Sequence, residues 1–144
     1  MSEAHGMVTY LVDVECSRRG WRLFRNSQGR AWLGQVTEES MIQGKRGPEK
    51  VIELFGAHMI PYGLGVGTSD RVGWRPLSLP DGRVIAQFVA IEAKTPAYDK
   101  CTEEQRNFLQ AVVRAGGAAF IARRRGTELE LEEIKAEEAP CTAR

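Results

Sequence analysis

The chain has 144 residues, 42% hydrophobic and 27% charged, with a formal net charge of +1. That is enough sequence for one compact domain with a real core, so a single globular unit without disulfide or zinc staples is expected. Cys16, Cys101 and Cys141 are odd in number, far apart and outside any C-x-x-C pairing, which argues against a disulfide framework or a zinc knuckle. No apolar run approaches the roughly 20 residues of a membrane span, and the N-terminus lacks the order of a signal peptide, so a soluble cytoplasmic protein is expected. The charge is unevenly divided. From Glu128 to Arg144 six acids stand against Lys135 and Arg144, giving −4 and leaving +5 for residues 1–127. A basic body and an acidic tail follow, and the runs Arg18 to Arg30 and Arg123 to Arg125 offer phosphate-facing charge or ordinary solvated surface.

In chain order, Met7, Tyr10, Leu11, Val12 and Val14 predict a first helix from about Met7 to Arg19, stopped by Gly20. Trp21 to Phe24 reads as a short strand and Asn26-Ser27-Gln28-Gly29 as turn chemistry. From about Thr37 to Pro48, glycines mixed with charges predict a long irregular stretch. Val51 to Ile60 is strand-like. Gly63, Gly65 and Gly67 then make a loop that feeds Thr68-Ser69-Asp70. This loop lacks the lysine and the helix of a nucleotide-binding motif, so nucleotide cofactors are not expected. Val72 to Trp74 predicts a strand, Pro80-Asp81-Gly82 a hairpin turn, and Val84 to Lys94 a central strand. Thr102-Glu103-Glu104-Gln105 reads as a capping box for a helix with Phe108, Leu109, Val112 and Val113 on its apolar face, ended by Gly116-Gly117. Ala118 to Ala122 predicts another buried strand, Leu129 to Ile134 an edge strand or loose helix, and fraying is expected beyond Glu137. The expected class is mixed α/β.

Side chains alternate along a strand, so Glu92 and Lys94 share one face. A charged pair ending the apolar run Phe88-Val89-Ala90-Ile91 must lie at the strand end, pair internally or bind an ion. Asp70, delivered by the glycine loop, is a second carboxylate that can converge on the same point as an oxygen site suited to Mg²⁺ or Mn²⁺. Such a site supports phosphodiester hydrolysis, the ion activating water and neutralising the phosphate while Lys94 stabilises negative charge beside it. Each signal has a bland reading: a surface ion pair for E-x-K, turn chemistry for Ser-Asp, helix capping for Gln105. Trp21, Trp32, Trp74 and Tyr62 are expected to be core before they are contacts for DNA or a second subunit.

The ordered set Gly67-Thr68-Ser69-Asp70, Phe88-Val89-Ala90-Ile91-Glu92-Ala93-Lys94, Thr102 to Leu109 and Gly116-Gly117, with Gly20 to Asn26 upstream, resembles the VRR-NUC family. That family is a branch of the PD-(D/E)XK nuclease superfamily, known from phage and bacterial proteins and from a DNA-repair nuclease. The resemblance runs from about residue 3 to residue 122. It implies a restriction-endonuclease-like α/β fold, a central mixed sheet flanked by helices, over residues 1–126; residues 127–144, outside the resemblance, are expected to be an acidic tail that offers an edge strand and is then disordered. It also implies a Mg²⁺- or Mn²⁺-dependent DNA endonuclease in which Asp70, Glu92 and the Ala93 carbonyl ligate the ion, Lys94 is the catalytic lysine and Gln105 is the family's following glutamine. The family has an acid in its first helix; Glu3 is the candidate, slightly early, while His5 sits nearer the family spacing. Stand-alone members resemble Holliday-junction resolvases, which implies branched DNA as substrate and a homodimer able to cut two strands symmetrically. Arg25, Lys45, Arg46 and Arg71 are the candidate DNA contacts. The competing readings are a DNA-binding module that has lost turnover and an interaction protein whose charged triplet is structural.

Overall fold

A computed structural model describes residues 3–136, and the protein in it is mixed α/β. The elements run α1 (Glu3–Arg18), β1 (Arg22–Arg25), β2 (Gly29–Gly44), β3 (Gly47–Tyr62), β4 (Arg71–Ser78), β5 (Val84–Lys94), α2 (Glu103–Arg114), β6 (Ala118–Arg125) and β7 (Glu128–Glu133). Instead of the single unit expected, the chain forms two. Among the described residues, a body contains residues 3–26 and 66–136, and a separate unit contains residues 27–65.

In the body a five-stranded sheet has the order β1-β4-β5-β6-β7, parallel between β5 and β6 and antiparallel elsewhere. The parallel step is a β5–α2–β6 crossover, the connection that a helix between parallel neighbours provides. β5 is the middle strand, and its residues from Val89 to Lys94 are all buried. Period-2 alternation divides it. Val89, Ile91 and Ala93 pack with Phe120 and Ala122 against Val8, Val12 and Cys16 of α1, while Ala90 packs with Ala119 against Leu109 and Val112 of α2. Glu92 and Lys94 therefore belong to the face that α2 covers.

The first helix forms, but its buried side is Val8, Thr9, Val12 and Cys16, spaced three and four apart. Met7 and Tyr10, expected to point inward, are 43% and 61% exposed. Sequence periodicity identified the helix and misjudged its face because apolar residues lie all around it. Burial pushes the Cys16 thiol up to about 11, so it behaves as a small hydrophobe. α2 opens as expected: the Thr102 hydroxyl accepts from the Gln105 amide and the Gln105 side chain accepts from the Thr102 amide at 3.0 Å.

The irregular stretch expected from Thr37 to Pro48 is instead regular strand. β2 and β3, 16 residues each, pair from Gly29↔Tyr62 to Gly44↔Gly47 around a turn at Lys45 and Arg46. Two register shifts, between Leu33 and Gln35 and between Val36 and Glu38, hide the alternation that identifies a strand in sequence. Gly56, at φ +63°, takes the left-handed conformation opposite the first of them.

Of the two alternatives for the acidic segment, the edge strand forms: residues 128–133 are β7, at the edge of the sheet, so the sheet extends past residue 126. Arg123 binds Glu132 at 2.5 Å and Asp99 at 2.6 Å, and Arg125 binds Glu130 at 2.8 Å. The tail's acids thereby neutralise two of the three arginines counted above as a phosphate-facing run. The fraying expected from Glu137 onward lies outside the described residues. Among the described residues, no helix is long and apolar enough to cross a membrane.

Of the aromatics expected in the core, only Trp21 is drawn inward, 5.3 Å from Phe120 between ring centroids. Trp32, Trp74 and Tyr62 are 62%, 43% and 48% exposed. The core rests on aliphatic side chains, and Ile91 is its largest fully buried one. Ile91→Ala should therefore cost about 2–5 kcal/mol of unfolding free energy, read as a lower midpoint in urea denaturation at unchanged slope.

Candidate functional site

The charged end of β5 is placed by three elements. β4 and β5 are held in antiparallel register by the turn at Pro80 to Gly82, with Arg71 opposite Ile91, so the next residue outward, Asp70, lies beside Glu92. Its carboxylate accepts from the Ala93 amide at 2.9 Å. The segment before Asp70 is fixed by Asn26, whose side-chain amide donates to the Thr68 hydroxyl at 2.8 Å and the Ser69 carbonyl at 2.9 Å, while its backbone amide donates to the Asp70 carbonyl at 2.9 Å. Gly67 lies against α2 so closely that a Cβ would collide with Glu104, and its φ of +83° disfavours any other residue as well.

α2 supplies Gln105. Besides closing the capping box, its carbonyl accepts from Lys94 Nζ at 2.7 Å and its amide donates to Glu92 Oε1. Lys94 Nζ also sits 3.0 Å from Glu92 Oε1. Both side chains of this ion pair are buried, 7% and 4% exposed, so the surface-pair reading of E-x-K does not apply. Burial in low dielectric is unfavourable to both charges and is only partly offset by their pairing. Glu92 Oε2 is buried with no hydrogen-bond partner, and so is Ser69 Oγ. Burial first, and the neighbouring Asp70 charge second, push the Glu92 carboxyl up to about 7 against the opposing pull of Lys94.

These groups line a cleft of about 540 Å³ together with His5, Thr95, Tyr98, Lys100 and Thr102. His5 enters from the first turns of α1, with Nε2 3.4 Å from Asp70 Oδ1. Arg71 anchors that helix to β4 through paired 2.7 Å hydrogen bonds to Asp13. Asp70, Glu92, Ala93, Lys94 and Gln105 thus come together. Glu3 is exposed in the first turn of α1 and does not line the cleft. Arg25 and Arg71 are register partners on β1 and β4, and Lys45 and Arg46 form the turn of the separate hairpin; none of the four lines the cleft. In the sequence His5 is singled out only by the family spacing and Asn26 only as part of the upstream motif, neither with a role at this cleft, and Lys100 carries no signal: a loop lysine is an ordinary surface residue until tertiary structure brings it in.

Among the described residues no three His, Cys, Asp or Glu side chains form a ready-made metal cage. Two carboxylates, one with an oxygen lacking any partner, and a backbone carbonyl nonetheless match a cation that keeps several waters, as Mg²⁺ does.

The Glu92 shift has a consequence for the protein without metal. Its folded-state value lies above the ordinary 4.5, so the folded protein holds a proton that the unfolded chain gives up. Stability should fall as pH rises from about 4.5 to about 7 and level off above that, by up to about 3 kcal/mol from this one group. In urea titrations across this range, Glu92→Gln should flatten the decline; an unchanged pH profile would show that Glu92 ionises normally. No family model, curated protein or solved structure matches this chain.

Proposed function

We propose that the protein is a metal-dependent nuclease of the PD-(D/E)XK type, as its resemblance to the VRR-NUC family implies, with branched DNA as substrate. The observation that supports this best is the buried, unpartnered Glu92 Oε2 in a cleft shared with Asp70. A carboxylate oxygen buried without a donor is unfavourable unless something else satisfies it, and a divalent cation does so more fully than a hydrogen bond. Asp70, Glu92 and the Ala93 carbonyl are the holders of Mg²⁺ or Mn²⁺. When bound, the ion supplies Lewis-acid stabilisation of the phosphate and lowers the pKa of an attacking water.

The protein's own groups divide the remaining work. The Ala93 amide fixes the Asp70 carboxylate in one orientation. Gln105 holds the Lys94 ammonium and the Glu92 carboxylate at a set spacing, so neither has to reorganise as charge develops on the phosphate. Lys94 places a positive charge beside the ligands, where it orients the nucleophile or stabilises the pentacovalent transition state. Lys100, exposed on the same cleft, adds positive charge toward the strand backbone.

Labelled four-way junction, flap and linear duplex DNA, each tested with Mg²⁺ and Mn²⁺, check this reading. Asp70→Asn, Glu92→Gln and Lys94→Gln should each lower cleavage by at least about 10²-fold while circular dichroism shows the fold retained. Metal titration by calorimetry should show loss of binding in the first two variants and near-normal binding in the third. Tight DNA binding without cleavage by the wild-type protein would instead favour a binding module.

His5 brings an imidazole nitrogen to the same point. Ligands on one small cation lie about 3 Å apart, close to the 3.4 Å between His5 Nε2 and Asp70 Oδ1. Nitrogen ligation favours Mn²⁺ over Mg²⁺. His5→Ala should therefore weaken Mn²⁺ binding about tenfold or more and Mg²⁺ binding little, and equal losses for both ions would remove His5 from the ligand set.

A further inference from the structure

After the buried pair Lys94 and Thr95 the chain turns through Pro96 to Asp99, and Tyr98 and Lys100 come to line the cleft. The turn is braced on both sides of Tyr98. Its amide donates to the Thr95 carbonyl at 2.9 Å, the two residues forming an isolated bridge directly off the end of β5. Arg123 of β6 donates to the Asp99 carboxylate at 2.6 Å and to the Asp99 carbonyl at 3.4 Å. Pro96 removes a further backbone freedom.

The ring held this way is 76% exposed, and among the described residues it has neither a ring contact nor a hydrogen-bond partner for its hydroxyl. A single exposed aromatic on a loose loop needs no explanation. One whose backbone is fixed beside a cleft is different, because it can bind a flat partner with little further loss of conformational entropy.

We propose that Tyr98 stacks on an unpaired base beside the phosphate that is cut, and so selects single-stranded or flap DNA over fully paired DNA. This inference rests on the nuclease reading and adds to it the feature of the substrate that is recognised. The cleft, about 540 Å³, is of a size to admit one nucleotide. Lys94 and Lys100 suit the phosphate, and of the residues lining the cleft only Tyr98 offers a large flat apolar face for the base. In an intact duplex both faces of every base are already stacked. A side chain at the cleft therefore meets a free face only where a base has left the stack, which costs least where the base is unpaired from the outset. A flap or a single strand supplies such bases, and a four-way junction with fully paired arms supplies few.

Binding and cleavage by the full chain, measured on a single strand, a flap and a linear duplex of related sequence, test this. Wild-type protein should cut the first two at least about tenfold better than the duplex. Tyr98→Leu keeps apolar bulk without the flat ring; it should raise Kd and lower kcat/KM for single strand and flap about tenfold, while Tyr98→Phe and Tyr98→Trp stay near wild type. The single strand should quench fluorescence in Tyr98→Trp more than in the wild type. Urea midpoints matching the wild type establish that these substitutions leave the fold intact. Equal cutting of flap and duplex by the wild type would overturn the proposal and leave the nuclease reading standing, as would a Tyr98→Leu variant that binds and cuts single strand like the wild type. A protein that cuts none of the three DNAs, yet loses single-strand binding in Tyr98→Leu and keeps it in Tyr98→Phe, would overturn the nuclease reading alone. Neither cutting nor binding would overturn both.

Discussion

The middle strand of the sheet is buried on both sides to its end, and its last turns of alternation carry a carboxylate and an ammonium into that buried space. This constraint organises the surrounding body. Neither charge is tolerable there alone, so each is matched: Glu92 to Lys94, and both to the amide of Gln105. Because Gln105 is also the third residue of α2 and closes its capping box, satisfying the ion pair fixes where the helix begins. Because Thr102 and Gln105 set that beginning, the glycine loop must pass close to Glu104, and Asp70 arrives beside Glu92. Helix start, loop conformation and carboxylate placement are thus one problem solved together.

The parts of this arrangement that rest on local chemistry were legible in the sequence. β5 reads as a strand from its composition, its alternation alone puts Glu92 and Lys94 on one face, and the capping box marks α2 to the residue. The convergence of Asp70 on Glu92 was legible too, because the turn at Pro80 to Gly82 reads as a hairpin and sets the pairing of β4 with β5. What depends on tertiary approach was not: His5 reaches Asp70 where Arg71 and Asp13 anchor α1. The hairpin of β2 and β3 was misread because its bulges break the two-residue period, and glycine in a bulge looks the same in sequence as glycine in a loop. The exposed Trp32, Trp74 and Tyr62 show a related failure, since aromatic composition predicts burial but does not say by what.

The charge asymmetry of the chain has a structural explanation of its own. Read along the sequence, the −4 of the last 17 residues suggests a solvated tail. In the sheet, β7 lies against β6 with Glu130 and Glu132 on Arg125 and Arg123, and Arg75 reaches Glu133 from β4. Exposed pairs of this kind add little stability individually, yet they cancel the like-charge repulsion of three consecutive arginines on one strand. They also occupy the edge strand with charge, which discourages further strands from adding to it.

The contacts of Asn26 bear on how the molecule can change its length. One side-chain amide and one backbone amide join the end of β1 to Thr68, Ser69 and Asp70, across the two points where the hairpin leaves and re-enters the body. The body is thereby closed upon itself without the 39 intervening residues. Lengthening or shortening the hairpin by whole cross-strand pairs is mechanically decoupled from the position of Asp70. The frame that carries Asp70 is formed by the residues on either side of the hairpin, which is inserted between Asn26 and Val66.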